Sequence, residues 1–256
     1  MKFSIKNAFL LLVTSLFLFS CVNKKKLVYL QGIDNQKSYD NSVRYEPTLQ
    51  PDDLLNIIVS AENPEVTVPF NLPQIQGNYD LNESQNNIKT YLIDNDGFIE
   101  FPVIGKLKLG GLTRSQAISK LNEMVSLYIK NPIINLRIVN FKISILGQVA
   151  KPGSYTIQGE RITFLEALSL ASDLTIYGKR NNILVIHEEE GKKTYNRIDL
   201  TKADILNLSD YYLSQNDVIF VEPNKTAINS SAVGPNTALY LSGLTVILSL
   251  ILVLKN

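Results

Sequence analysis

The chain has one cysteine, one histidine and almost no surplus of charge in its 256 residues. Each shortage removes a class of chemistry. Structural zinc sites need several sulfur or imidazole ligands, so a metal centre built from His and Cys is excluded. A Ser-His-Asp or Cys-His nucleophile would have to use His187. That residue ends the apolar run "NNILVIH", where a strand-edge histidine is the plainer reading. Lys plus Arg number 25 against 24 Asp plus Glu. With no basic excess to drive phosphate binding, nucleic acid is set aside as a partner. Asp94, Asp96 and Glu100 lack the downstream ligands of an EF-hand loop and read as turn chemistry. No catalytic, metal-binding or cofactor-binding residue is expected.

What is present is a polar middle between two apolar ends. Lys2 and Lys6 lead into residues 8–19, about a dozen apolar residues, which suits a signal-peptide core better than a membrane span. Leu18 and Ser20 precede Cys21, an arrangement that resembles the lipobox of bacterial lipoproteins. The resemblance implies that residues 1–20 are removed and that Cys21 carries covalent lipid, with no other cofactor. It also accounts for a lone thiol in an exported protein, since an oxidising compartment favours pairs. Each buried CH₂ of an acyl chain is worth roughly 0.8 kcal/mol, so several chains hold the protein to membrane lipids. Residues 22–44 are polar and unperiodic and read as a tether. Lys24, Lys25 and Lys26 sit in it, against lipid head groups or in solvent.

From Tyr45 the pattern mixes α and β. "LQPDDLLNIIVS" reads as a turn and a strand with Leu55, Ile57 and Val59 on one face. Residues 62–88 hold three prolines and many polar residues, and read as an irregular excursion. Asn95-Asp96-Gly97 between two apolar runs signals a hairpin, with Gly97 at positive φ. Gly105, Gly110 and Gly111 mark turns before a helix. That helix opens on a capping box of Thr113 and Gln116. Its apolar face is Ala117, Ile118, Leu121, Met124, Val125 and Tyr128, and Asn131-Pro132 stops it. "IINLRIVN" alternates as a half-buried strand, with Ile134, Leu136 and Ile138 together. A second unit follows: a strand, an entry turn at Gly147, Pro152 and Gly153, and another strand. A helix capped by Thr163 and Glu166 comes next, then strands around Glu190-Gly191, then "DVIFVEP".

"YEPTLQPDDLLNIIV", "LIDNDGFIEFPVIGKLKLGGLT", "ISILGQVAKPGSYTI" and "YYLSQNDVIFVEP" stand in the order found in bacterial outer-membrane polysaccharide export lipoproteins. The chain resembles that family over about residues 45–223. The resemblance implies an α+β fold: a poly-export domain at 45–142 and one β-grasp (SLBB, soluble-ligand-binding β-grasp) domain at 143–223. Around them lie the signal peptide at 1–20, the lipidated tether at 21–44, a linker at 224–237 and a C-terminal transmembrane helix at 238–254. The implied function is capsule or exopolysaccharide export across the outer membrane, as one subunit of a homo-oligomeric ring with its bulk in the periplasm. The implied partners are the polysaccharide polymer, an inner-membrane polysaccharide co-polymerase and membrane lipids. The implied role is a conduit rather than an enzyme. A monomeric outer-membrane lipoprotein that binds glycan or a protein partner, without forming a pore, is the alternative. One departure is local. The family usually has Pro-Gly-Asp where this chain has Pro51-Asp52-Asp53, and aspartate tolerates left-handed backbone better than most residues.

Residues 238–254 carry no charge and would span about 26 Å as a helix. That is short against a ~30 Å hydrocarbon core but tolerable in a thinner outer membrane. At 100° per residue, Ala238, Ser242, Thr245 and Ser249 share one narrow stripe opposite Tyr240, Leu244, Ile247, Ile251 and Leu254. A ring of such helices would turn the stripe toward a lumen or a neighbouring helix and the apolar side toward lipid.

Overall fold

A computed structural model describes residues 24–33, 45–73, 89–189, 191–207, 211–232 and 237–254. The signal segment, Cys21 and most of the polar excursion lie outside the described residues.

The first body is built from β1 (Leu54–Ser60), β2 (Tyr91–Leu92), β3 (Phe98–Phe101), β4 (Gly105–Lys108), α1 (Arg114–Ser126) and β5 (Ile133–Ile138). β1 lies between β2 and β5, antiparallel to both. Leu55, Ile57 and Val59 are all buried beneath it, as period-2 alternation demands. Opposite them, Leu136 is buried too. α1 covers this layer through Ala117, Leu121 and Val125, each 0 % exposed. Its capping box is made in both directions, Thr113 and Gln116 each taking the other's backbone N–H. The helix ends at Ser126, sooner than its sequence face implies, and Tyr128 falls outside it, 60 % exposed against Phe70.

The expected hairpin at Asn95-Asp96-Gly97 is a turn but does not join paired strands. Asp94 Oδ1 accepts from the N–H groups of Asp96 and Phe98, and Gly97 has φ +85°. Beyond one bond from Asp94 N–H to Phe98 O, the strands part: β2 goes to β1 and β3 pairs with β4. Gly110 returns against this turn so closely that a Cβ on it would lie 2.6 Å from Gly97 Cα. The excursion also holds more order than its composition implies, since Pro64–Phe70 form a 3₁₀ helix that buries Phe70.

The second body contains β6 (Lys142–Gly147), β7 (Gly153–Thr156), β8 (Ile162–Thr163), α2 (Phe164–Leu170), β9 (Gly178–Glu189), β10 (Lys192–Ile198), β11 (Tyr212–Leu213) and β12 (Val218–Pro223). Its main sheet runs β10-β9-β12-β6-β7. β12 and β6 are parallel, and the other neighbours are antiparallel. α2, capped reciprocally by Thr163 and Glu166, drives Phe164, Ala167 and Leu168 into the same core as Ile145, Val185 and Ile219. Phe141 already belongs to that core.

Two helices follow: α3 (Lys225–Ala232) and α4 (Thr237–Leu254). The expected transmembrane helix needs correction here. α4 forms, yet among the described residues no helix is long and apolar enough to cross a membrane. Its 18 residues reach about 27 Å, short of the ~30 Å hydrocarbon core.

Candidate functional site

Three places bear on function: the two chain ends and the joint between the bodies.

The N-terminal segment is docked rather than loose. Leu30 N–H donates to Leu200 O and Gln31 N–H to Thr201 O, at 3.0 and 2.9 Å. The Tyr29 hydroxyl donates to Asp173 Oδ1 at 2.7 Å, and burial together with that carboxylate pushes its phenol pKa up. Gln31 Nε2 closes the segment by donating to the carbonyls of Lys25 and Val28. Lys24–Lys26 form one exposed 3₁₀ turn directly before it. Tyr29, Leu30 and Gln31 thus fix this segment to the second body.

The C-terminal end leaves from the same place. Asn224 caps α3 by accepting from Ala227 N–H at 3.0 Å. Its own backbone and side-chain N–H groups donate to the carbonyls of Tyr177 and Ile176. One loop, residues 173–177, therefore grips the N-terminal segment through Asp173 and the start of α3 through Ile176 and Tyr177. Exposed Ile176, Tyr177 and Ile228 surround that grip.

In α4, Tyr240, Leu244, Val246, Ile247 and Leu250 are all more than half exposed. Val246 and Leu250 lie on other sides of the helix from Tyr240, so apolar surface is exposed widely around it. The hydroxyls of the expected stripe point inward along the backbone: Thr245 Oγ1 donates to Ser242 O at 2.7 Å and Ser249 Oγ to Val246 O at 2.8 Å. Back-bonded in this way they suit a dry helix contact at least as well as a wet lumen. Ala238 lies within α4, but its side chain lies outside the described residues.

The joint is tied by Asn140. Its Oδ1 accepts from Leu54 N–H and its Nδ2 donates to Asp52 O, both in the first body. Its own carbonyl accepts from Gln215 Nε2 of the second body, and Gln215 Oε1 accepts from Lys142 N–H at 2.7 Å. Tyr45 stacks on Tyr212 with ring centroids 4.9 Å apart and planes 11° apart. Arg114 Nε donates to Leu136 O and lies 3.4 Å from Glu160 across the joint. These contacts wall a cleft of about 820 Å³ lined in part by Tyr45, Arg114, Arg137, Phe141, Gln158 and Arg161. The sequence reading missed this site, because its cations come from α1, β5 and the loop before β8.

Of the residues expected to make turns, Gly147 has the strictest role. It has φ +88°, and a Cβ there would lie 2.1 Å from Val221 O, at the end of the β6–β12 pairing. Gly105 opens β4 at φ +86°. Pro152 and Gly153 stand at the entry to β7, and nothing crowds Gly153. His187 is part of β9, with Nδ1 2.8 Å from Asp217 Oδ2. It is tied into the second body rather than set at a strand edge.

Two α+β bodies follow one another in this order, linked through Asn140 and followed by an exposed apolar helix, a modular arrangement. Comparison with known families agrees. The family described as "Polysaccharide biosynthesis/export protein" matches residues 41–139, and "SLBB domain" matches residues 141–221. The chain belongs to the polysaccharide export family. It is similar to the "EPS I polysaccharide export outer membrane protein EpsA" of Ralstonia solanacearum, 24% identical over 199 residues, covering 75% of this chain and 52% of the relative. The protein of the same name from Ralstonia nicotianae is 24% identical over 200 residues, with the same coverage. The chain thus spans about half the length of the curated relatives it matches.

Proposed function

We propose that this protein is an outer-membrane component of polysaccharide export, one subunit of an oligomeric conduit that makes and breaks no bond. The observation that carries the reading is the pair of matched domains, in order, across residues 41–221, shared with relatives whose names state polysaccharide export and the outer membrane. On this reading residues 45–142 and 143–223 are the two working domains. The lipid sits on Cys21, and an inner-membrane co-polymerase hands over the polymer.

The geometry of the two ends supports an assembly at the membrane. Residues 173–177 hold Tyr29 and the start of α3 side by side, which supports a lipid on Cys21 and α4 acting at one membrane. Lys24–Lys26 then face anionic head groups, where each cation contributes about 1 kcal/mol. α4 covers its apolar surface by packing against copies of itself at the outer membrane, with the back-bonded serine and threonine stripe between helices. An oligomer also explains why a helix short for a span is retained.

Deleting the gene tests the export reading. Surface polysaccharide should disappear while the synthesis enzymes stay active, and the wild-type gene should restore it. Normal surface polysaccharide in a deletion strain lacking any paralogue would reject it. The lipid is tested separately: Cys21→Ala precursor should remain uncut and leave the outer-membrane fraction.

A further inference from the structure

The joint cleft carries a feature that a passive spacer does not need. Its acidic side chains are engaged. Glu46 accepts from both the N–H and the hydroxyl of Ser115 at the start of α1, which holds its carboxyl below the usual carboxylate range. Glu160 faces Arg114 at 3.4 Å. Two exposed arginines remain. Among the described residues, neither Arg137 nor Arg161 has a carboxylate within salt-bridge distance. Arg161 is held over the Tyr212 ring at 5.1 Å, and Tyr212 in turn stacks on Tyr45. Stacking on a ring face orients a guanidinium while leaving its N–H donors available. Tyr45 and Gln158 line the same cleft.

Resting on the export reading, we propose that this cleft binds an acidic segment of glycan, with Arg137 and Arg161 taking uronate carboxylates and Tyr45 lying along a sugar face. A guanidinium matches a carboxylate through two parallel hydrogen bonds, which a neutral sugar cannot accept. Two exposed ion pairs are each weak and screened by salt. That suits a polymer which must be held and then released. A cleft of about 820 Å³ has room for a short run of sugar units rather than one monosaccharide.

Calorimetric titration of the detergent-solubilised full chain tests this, with a galacturonate hexamer against maltohexaose. The galacturonate should bind, weaken at high salt, and exceed maltohexaose by at least about tenfold. Arg137→Gln with Arg161→Gln should cut that affinity by about tenfold or more, with an unchanged melting temperature. The Arg137→Lys with Arg161→Lys pair keeps charge without the fork and should fall between. Equal binding of the two sugars, no binding by wild type, or full affinity in the glutamine pair would each overturn the proposal. In any of those cases, loss of surface polysaccharide in the deletion strain leaves the export reading standing. Normal surface polysaccharide in that strain removes both.

Discussion

Asp53 and Asp217 occupy the same place in the same turn, one in each body. Each is 0 % exposed and follows a residue at positive φ, Asp52 at +68° and Asn216 at +64°. Each carboxylate reaches back to the backbone N–H three residues earlier, Gln50 at 2.9 Å and Ser214 at 2.6 Å. Each then starts a strand, β1 or β12. The two differ in what else they meet: Asp217 has His187 at 2.8 Å, whereas Asp53 Oδ1 has no partner among the described residues.

That difference makes Asp53 a pH-dependent load on the first body. Burial pushes its carboxyl up to about 6, above an unfolded value of about 4. A raised carboxyl favours the fold while protonated, so its contribution is full below pH ~4 and lost as pH rises through ~6. Asp53→Asn removes this titration. The stability difference between wild type and variant should shift by about 2–3 kcal/mol between pH 4 and 7, in the variant's favour as pH rises. Urea unfolding at several pH values measures it, and parallel curves would contradict it.

Asp52 holds a left-handed conformation without glycine's freedom, at φ +68°. The turn forms anyway, because its strain is local and the Asp53 carboxylate and Asn140 amide secure it on both sides. Asp52→Gly should stabilise the protein by about 0.5–1 kcal/mol. A melting temperature that falls would show that the side chain supplies more than the strain costs.

Tyr91 is 5 % exposed and its hydroxyl has no partner among the described residues. Burial moves its phenol to about 12. Tyr91→Phe keeps the ring stacked on Phe101, whose centroid lies 5.4 Å away. It should therefore leave stability unchanged or raise it by about 1 kcal/mol. A clear loss of stability in the phenylalanine variant would point to a bound water or ligand at that hydroxyl.

Gly147→Ala meets both a positive φ and a backbone carbonyl, with no side chain able to yield. The cost should be about 3 kcal/mol or more. It should fall on the second body, with lost protection of amides in β6 and β12 under hydrogen exchange. Gly153→Ala, which meets nothing, is the control and should cost less than about 1 kcal/mol.

Truncation before Thr237 removes α4 and leaves both cores whole. On the export proposal the product should melt as the full chain does and fail to form membrane-held oligomers, seen as a fall in native mass. Full export by the truncated protein would end the case for α4 in the conduit.

Legibility tracked the range of the forces involved. Both capping boxes, the buried alternation of β1 and the β9–β10 hairpin could be read directly, because side-chain period and caps act over three or four residues. The Asn95-Asp96-Gly97 turn was legible, but the partners of its flanking strands were not, because pairing depends on competition with β1 and β4. The cleft was hidden for the same reason. Arg114, Arg137 and Arg161 stand on separate elements with no motif between them, and only the packing of the two bodies brings them together.

By itself the sequence determined where the apolar ends lie, the order of the two domains and the family they belong to. Those properties reside in composition, local periodicity and short blocks of chain in a fixed order. Tertiary structure alone decided that the N-terminal segment and the start of α3 share one loop, and that Asp53 and Asp217 make one repeated turn. It alone left two arginines with no carboxylate within salt-bridge distance, among the described residues, in a cleft between domains. Such facts depend on contacts between residues far apart in the chain, whose entropy cost is met only when both cores are packed.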